Sequence, residues 1–292
     1  MMPKKQTKTA LVLAGGGSFG AVQVGMLKAL VGAGIDVDLV VGSSVGAING
    51  AYFAGAPTVD GMQQLERIWL AIRRQDIFPV NWWSLFGFAR RRDFLVGSHG
   101  IRGLVEANLA YRNLEDATVP MHVVATDVLS GAPVVLSSGN AADAIVASTA
   151  IPAAFASVLI GSQYLMDGAV TSNTPVRVAV ALGAQRLIVL PTGFACNLYE
   201  PPRGALASAL HALTLLIANQ LVAELDALPR DIDYAIAPSL CPLAWSAYDF
   251  NRAKDMIDGA ESSTRSWIAA GGLSNRQVPD GLRAHSHRHA TG

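Results

Sequence analysis

The chain has 292 residues, 51% of them hydrophobic and 15% charged, with 22 basic residues balanced by 22 acidic ones. The high apolar and low charged fractions suit a compact domain with a buried sheet better than a disordered chain, and the charge balance offers no basic field for nucleic acid. Two cysteines, Cys196 and Cys241, have neither metal-ligand spacing nor the numbers for a disulfide framework, and read as reduced thiols.

The opening "MMPKKQTKTA" is too polar for a secretory signal, and no uninterrupted apolar run approaches the roughly 20 residues that span a bilayer. The expected location is therefore cytoplasmic, with peripheral membrane contact left open. Thr9 to Ala14 predicts a first strand, Ala21 to Val31 a helix, Val37 to Val41 a second strand and Val45 to Ala54 a second helix. Strand, glycine turn, helix, strand, helix is the order of a parallel sheet covered on both faces. Met62 to Arg73 predicts a further helix.

Residues 77–95 break the pattern. Trp82, Trp83, Phe86 and Phe88 precede Arg90, Arg91 and Arg92, and interfacial aromatics beside cations suit an anionic lipid surface. Packing of the same aromatics as a lid suits them equally. Strands are then expected at Met121 to Ala125 and Val134 to Leu136, a short helix at Asn140 to Thr149, and a short strand entering the Asp167–Gly168 turn. Gln185 to Leu190 and Ile232 to Ala237 predict later strands, and Ala205 to Ala227 and Phe250 to Ala270 late helices. The expected organisation is one domain over 1–270 and a polar, frayed tail over 271–292, whose alternating histidines lack the acidic or cysteine neighbours of a metal site.

Two glycine motifs carry the chemistry. "GGGSFG" reads as G-x-G-x-x-G through Gly15, Gly17 and Gly20, the form of a dinucleotide fingerprint. Its acidic partner is missing, because Asp36 and Asp38 fall at the beginning of the second strand rather than its end. "GSSVG" reads as G-x-S-x-G through Gly42, Ser44 and Gly46, between a strand and a helix, the setting of a nucleophile elbow. The serine needs a strained turn to project its hydroxyl, the glycines let neighbouring backbone pass, and the helix start aims its dipole at the reacting centre. A serine that merely caps the helix is the plainer alternative.

An activated serine needs a base. His99, His122 and His211 lack convincing acid partners, and an elbow behind a single strand disfavours the α/β-hydrolase triad. Asp167, in "MDGAV", and Asp127, in "ATDVLSG", are the carboxylate candidates, and either can equally be a turn-stabilising aspartate.

Three separated stretches, "GGGSFG", "GSSVG" and "DGA", together resemble the patatin-like phospholipases, and "ATDVLSG" and "ASTAIPAAF" fit between them. The similarity runs from about residue 9 to residue 192. It implies a three-layer α/β/α fold on a mostly parallel sheet and a Ser-Asp dyad, with Ser44 as nucleophile and Asp167, before Gly168, as base. It implies that the amides of Gly15, Gly16 and Gly17 hold the oxyanion. Phe19 departs from the family's usual Arg or Lys before the last loop glycine, which implies a weaker oxyanion field. The implied activity is hydrolysis of phospholipid, lysophospholipid or other fatty-acyl esters through an acyl-enzyme, with no metal or organic cofactor. The competing readings are a noncatalytic lipid-binding member of the fold and, less favoured, a dinucleotide-binding oxidoreductase.

Overall fold

The computed structural model describes residues 7–77, 97–193, 201, 204–241, 243, 249–279 and 282. Among them the strands are β1 (Thr9–Leu13), β2 (Leu39–Ser43), β3 (Met121–Asp127), β4 (Pro133–Leu136), β5 (Val158–Ile160), β6 (Gln163–Asp167), β7 (Arg186–Leu190) and β8 (Asp233–Ile236). They form one sheet in the order β5-β6-β3-β2-β1-β7-β8, with β4 also on β3. β3, β2, β1, β7 and β8 are parallel, whereas β4 and β6 pair antiparallel with β3, and β5 pairs antiparallel with β6.

Alternation along the strands explains the layers. Leu11, Leu13, Val40, Val123, Ile188 and Leu190 point into one apolar cluster; Ala10, Val12, Leu39, Val41, Val124 and Val189 point into another. Successive side chains on a strand face opposite ways, so a parallel sheet must be apolar on both faces. The first cluster is closed by helices α1 (Gly20–Gly32), α2 (Val45–Gly55), α3 (Val59–Ala71), α5 (His99–Asn108), α6 (Ala141–Ser148) and α10 (Ala253–Ala269). The short α4 (Arg74–Ile77) packs beside α5, where a Cβ on Gly100 would run into the Asp76 carbonyl. The second cluster is closed by α8 (Val176–Ala181), which follows the one-turn α7 (Ala169–Ser172), and by α9 (Ala205–Asp226). This is the expected three-layer α/β/α architecture.

The starts of two helices are set by local chemistry. Thr58 Oγ1 accepts from the Gly61 amide at 3.1 Å ahead of α3, and Asn140 Oδ1 from the Asp143 amide at 2.9 Å ahead of α6. Helix α1 lies against α10 through Gly25, where a Cβ would meet the Ile257 carbonyl.

The register on β3 positions the site. Val123 and Val124 pair with Gly42 and Ser43 of β2 on one edge and with Leu136 and Val135 of β4 on the other. Ala125 and Thr126 still have β4 on that second edge, yet also pair with Asp167 and Met166 of β6. β6 therefore occupies the same edge as β2, just past its end, and runs the opposite way. The C-termini of β2 and β6 meet head to head along β3, which acts as a splint.

The expected aromatic and basic segment falls outside the described residues, except Ile77, which ends α4. Trp82, Trp83, Phe86, Phe88, Arg90, Arg91 and Arg92 all lie in its undescribed part. Of the stretch read as a polar tail, Gly272–Ser274 is a 3-10 turn, and Val278 and Leu282 pack against the second cluster. The tail histidines are outside the described residues.

Candidate active site

β2 ends at Ser43, and Ser44 turns the chain into α2 with φ 53° and ψ −126°. Apart from glycine, only Ser44 and Ala153 have positive φ among the described residues. A side-chain residue in that region is strained, and such strain gathers at functional turns. The turn closes because Gly42 and Gly46 have no side chains: a Cβ on Gly42 would meet the Gly46 carbonyl, and one on Gly46 the Leu13 carbonyl.

Ser44 Oγ donates to Asp167 Oδ2 at 2.8 Å across 123 residues of sequence. Asp167 Oδ1 accepts from the Ala169 amide at 2.8 Å, which fixes the carboxylate plane. Thr126 Oγ1 holds the Asp167 carbonyl at 2.9 Å. Gly168 is needed at the next position, since a Cβ there would strike the Val124 carbonyl. Burial pushes the Asp167 carboxyl up to about 7, against the opposing pull of the Ala169 amide and the Ser44 hydroxyl. A carboxyl with that value is poised to exchange a proton near neutrality.

A third serine completes the junction. Ser148, the last residue of α6, donates to the Val124 carbonyl at 2.6 Å and accepts from the Ser44 amide at 2.8 Å. It fills the gap left where β2 stops and β6 has not begun. Its place inside "ASTAIPAAF" gave no role, because nothing in the spacing brings α6 against the elbow.

The glycine loop requires one correction. The Gly15 amide donates to the Asn173 carbonyl at 3.0 Å, so it is not open to a ligand. The carbonyl of Gly15 is held in turn by Thr192 Oγ1 at 2.7 Å. The Gly16 and Gly17 amides have no acceptor among the described residues, and Gly17 takes φ 58°, a conformation glycine adopts without penalty. A Cβ on Gly15 would lie 3.0 Å from Ser44 Cβ and 2.5 Å from Asn173 Oδ1, so loop and elbow touch. The Val45 amide, first in α2, is a further donor with no acceptor among the described residues, of the kind every helix start presents.

Phe19 is not among the residues lining the cavity beside Ser44. It is fully buried in the first apolar cluster, so its contribution is to packing, worth about 1.5–3 kcal/mol. Asp127, the rival carboxylate, is spent on its own turn: Oδ1 accepts from Ser130 Oγ, the Ser130 amide and the Leu129 amide, which hold its carboxyl below the usual range. His122 bonds Ser137 at 2.7 Å near the far end of β3, and none of His99, His122 or His211 lines the cavity beside Ser44. Asp38 accepts from the Thr9 amide at 2.7 Å, at the opposite end of the strands from the glycine loop.

Ser44 and Gly17 open onto a cavity of about 580 Å³, open solvent at its entrance included. Its walls are apolar, formed by Ile48, Tyr52, Ile68, Trp69, Phe155 and Phe250 among others. Ser44 and Asp167 are otherwise shut away, at 7% and 3% exposure. This cavity is thus the described approach to the pair.

Comparison with known proteins identifies relatives of the chain. Patatin-like phospholipase domain-containing protein 7 of Rattus norvegicus is 28% identical over 193 residues, and patatin-like phospholipase domain-containing protein 6 of Homo sapiens is 30% identical over 186. In each case 63% of this chain matches 13% of the relative, so the chain spans only a small part of those proteins. Lysophospholipase NTE1 of Mycosarcoma maydis is 28% identical over 189 residues, covering 63% of this chain and 10% of that one. The family model described as patatin-like phospholipase matches residues 11–180, from β1 through the elbow and the Asp167 turn to α8, and on that match over more than half its length this chain belongs to the patatin-like phospholipases.

Proposed function

We propose that the chain is a serine acyl hydrolase acting on fatty-acyl esters of the phospholipid or lysophospholipid class. The observation that carries this reading is the 2.8 Å hydrogen bond to a buried carboxylate from Ser44, which lines an apolar cavity. Ser44 Oγ attacks the ester carbon while its proton passes to Asp167 Oδ2, and the carbonyl electron pair becomes an oxyanion. The Gly16, Gly17 and Val45 amides receive that charge. Collapse expels the leaving alkoxide, which takes the proton from Asp167 and leaves the acyl group on Ser44. Water then repeats the sequence, with Asp167 as base, and frees the fatty acid.

The cavity supports an aliphatic acyl chain, and the lysophospholipase name of one relative supports the same substrate class. Residues 77–95 extend the reading to peripheral attachment at an anionic lipid surface, on residue types alone. Sedimentation with anionic vesicles at low salt tests that extension. No described helix is long and apolar enough to cross a membrane.

Fluorophosphonate labelling with peptide mapping tests the central claim. Label is expected on Ser44, absent in Ser44→Ala and lost in Asp167→Asn. Full labelling of a Ser44→Ala variant rules the assignment out, and an unlabelled parent points to a lipid-binding fold without catalysis.

A further inference from the structure

Behind the cavity wall lies a chain of three side chains that the proposed mechanism does not use. Trp69 Nε1 donates to Asn49 Oδ1 at 2.9 Å. Asn49 Nδ2 donates to the Gly20 carbonyl and to Gln23 Oε1, both at 2.9 Å. Gln23 Nε2 donates to the Ala14 carbonyl at 2.8 Å and the Leu190 carbonyl at 3.0 Å. Gln23 and Asn49 are completely buried, and Trp69 is 3% exposed.

The chain has one direction. An indole nitrogen can only donate, so Asn49 must turn its oxygen to Trp69 and its nitrogen to Gln23, which must turn its own nitrogen to the two carbonyls. Every polar atom of both amides has a partner. Removing any one member strands the next without water to replace it.

Its anchor points bracket one segment. Ala14 and Gly20 are the residues on either side of the loop from Gly15 to Phe19. Asn49 stands on α2, five residues past Ser44, and Trp69 stands on α3 and lines the cavity. Gly20 lies directly under the indole, because a Cβ there would come within 2.8 Å of Trp69 Cζ2.

We infer that Gln23, Asn49 and Trp69 are positioning residues that hold the glycine loop at a set distance from the elbow and tie its placement to the wall of the acyl cavity. This inference rests on the proposed hydrolase reading and adds to it. The open amides at Gly16 and Gly17 have no side chain of their own to fix them. They are aimed from both ends of the loop by Gln23 and Asn49, and Trp69 keeps Asn49 in the required orientation.

Trp69→Phe is the test, since it keeps an aromatic ring in the wall and removes only the indole N–H and its ring. With p-nitrophenyl butyrate and p-nitrophenyl dodecanoate, kcat is expected to fall about tenfold for both esters while KM changes less than twofold, a part of what losing a whole oxyanion donor costs. The fluorophosphonate labelling rate should fall in parallel, with the pH midpoint of labelling unmoved because the Ser44–Asp167 pair is intact. Gln23→Met, at the other end of the chain, should reproduce the pattern without touching the cavity. A loss confined to KM, or to the dodecanoate ester, would make Trp69 a plain wall residue and overturn the inference, as would unchanged kinetics. If circular dichroism shows both variants unfolded at assay temperature, the chain is scaffold and the inference also fails. A parent enzyme that takes no label refutes the hydrolase reading itself, so the two failures are told apart.

Discussion

The loop after β1 and the turn after β2 share one order, strand then glycines then helix, and are held in opposite ways. The elbow is set mainly by close backbone packing: Gly42 packs on Gly46, and Gly46 on the β1 backbone, with the strain concentrated in Ser44 at φ 53° and its amide held by Ser148. The glycine loop is tied mainly by residues beyond it: Thr192, Asn173 and Asn49 reach it from three other segments, and Gln23 from α1, the helix it leads into. On the proposed hydrolase reading, a nucleophile must sit at one point and can be set by local sterics. Amides that receive a transient charge need orientation, which a chain of hydrogen bonds supplies.

The largest expected effect, on the proposed reading, comes from removing the carboxylate that Ser44 bonds. Asp167→Asn keeps shape but cannot take the proton, so ester hydrolysis should fall roughly ten-thousand-fold, as measured by kcat/KM. Substitutions at the two glycine motifs should then separate. Gly17→Ala forces a side chain into φ 58° at a cost of about 1–2 kcal/mol, while the displaced amide should lower kcat about a hundredfold. Gly46→Ala drives a Cβ into the Leu13 carbonyl and should appear chiefly as lost stability, about 3 kcal/mol in urea denaturation. Equal stability losses at both positions would erase the distinction.

Ser148→Ala leaves the Ser44 amide and the Val124 carbonyl without their partner, and should cost about 1–3 kcal/mol in thermal unfolding. The smallest effect sharpens the picture by pH. Asp167 must be ionised to act as base, so kcat/KM should rise with pH through a midpoint of about 7. Stability runs the other way: a carboxyl raised from 3.8 favours the folded protein fully below that value, and the benefit is lost as pH climbs through about 7. Asp167→Asn should remove that part of the slope in a melting-temperature series.

Elements with strong periodicity were readable, and the expected Thr9 to Ala14 run and Ala21 to Val31 helix correspond to β1 and α1 within a residue or so. Short ones were not: three residues of β5 and six of α8 are fewer than a period needs to show itself. The elbow context of Ser44 was visible because strand, glycine and helix are neighbours in sequence. The choice between Asp167 and Asp127 came only from resemblance, since each is an aspartate beside a turn. What separates them is that one carboxylate is consumed by Ser130 while the other faces Ser44.

The sequence by itself determined which segments alternate, which glycines stand where backbone must pass, and the family those motifs resemble. Tertiary structure alone decided that β2 and β6 abut on β3, that Gly15 has already spent its amide, and that Gln23, Asn49 and Trp69 join into one chain. The physical reason is range: sterics and periodicity act over a few residues along the chain, whereas a hydrogen bond between positions 44 and 167 exists only after the sheet has aligned them.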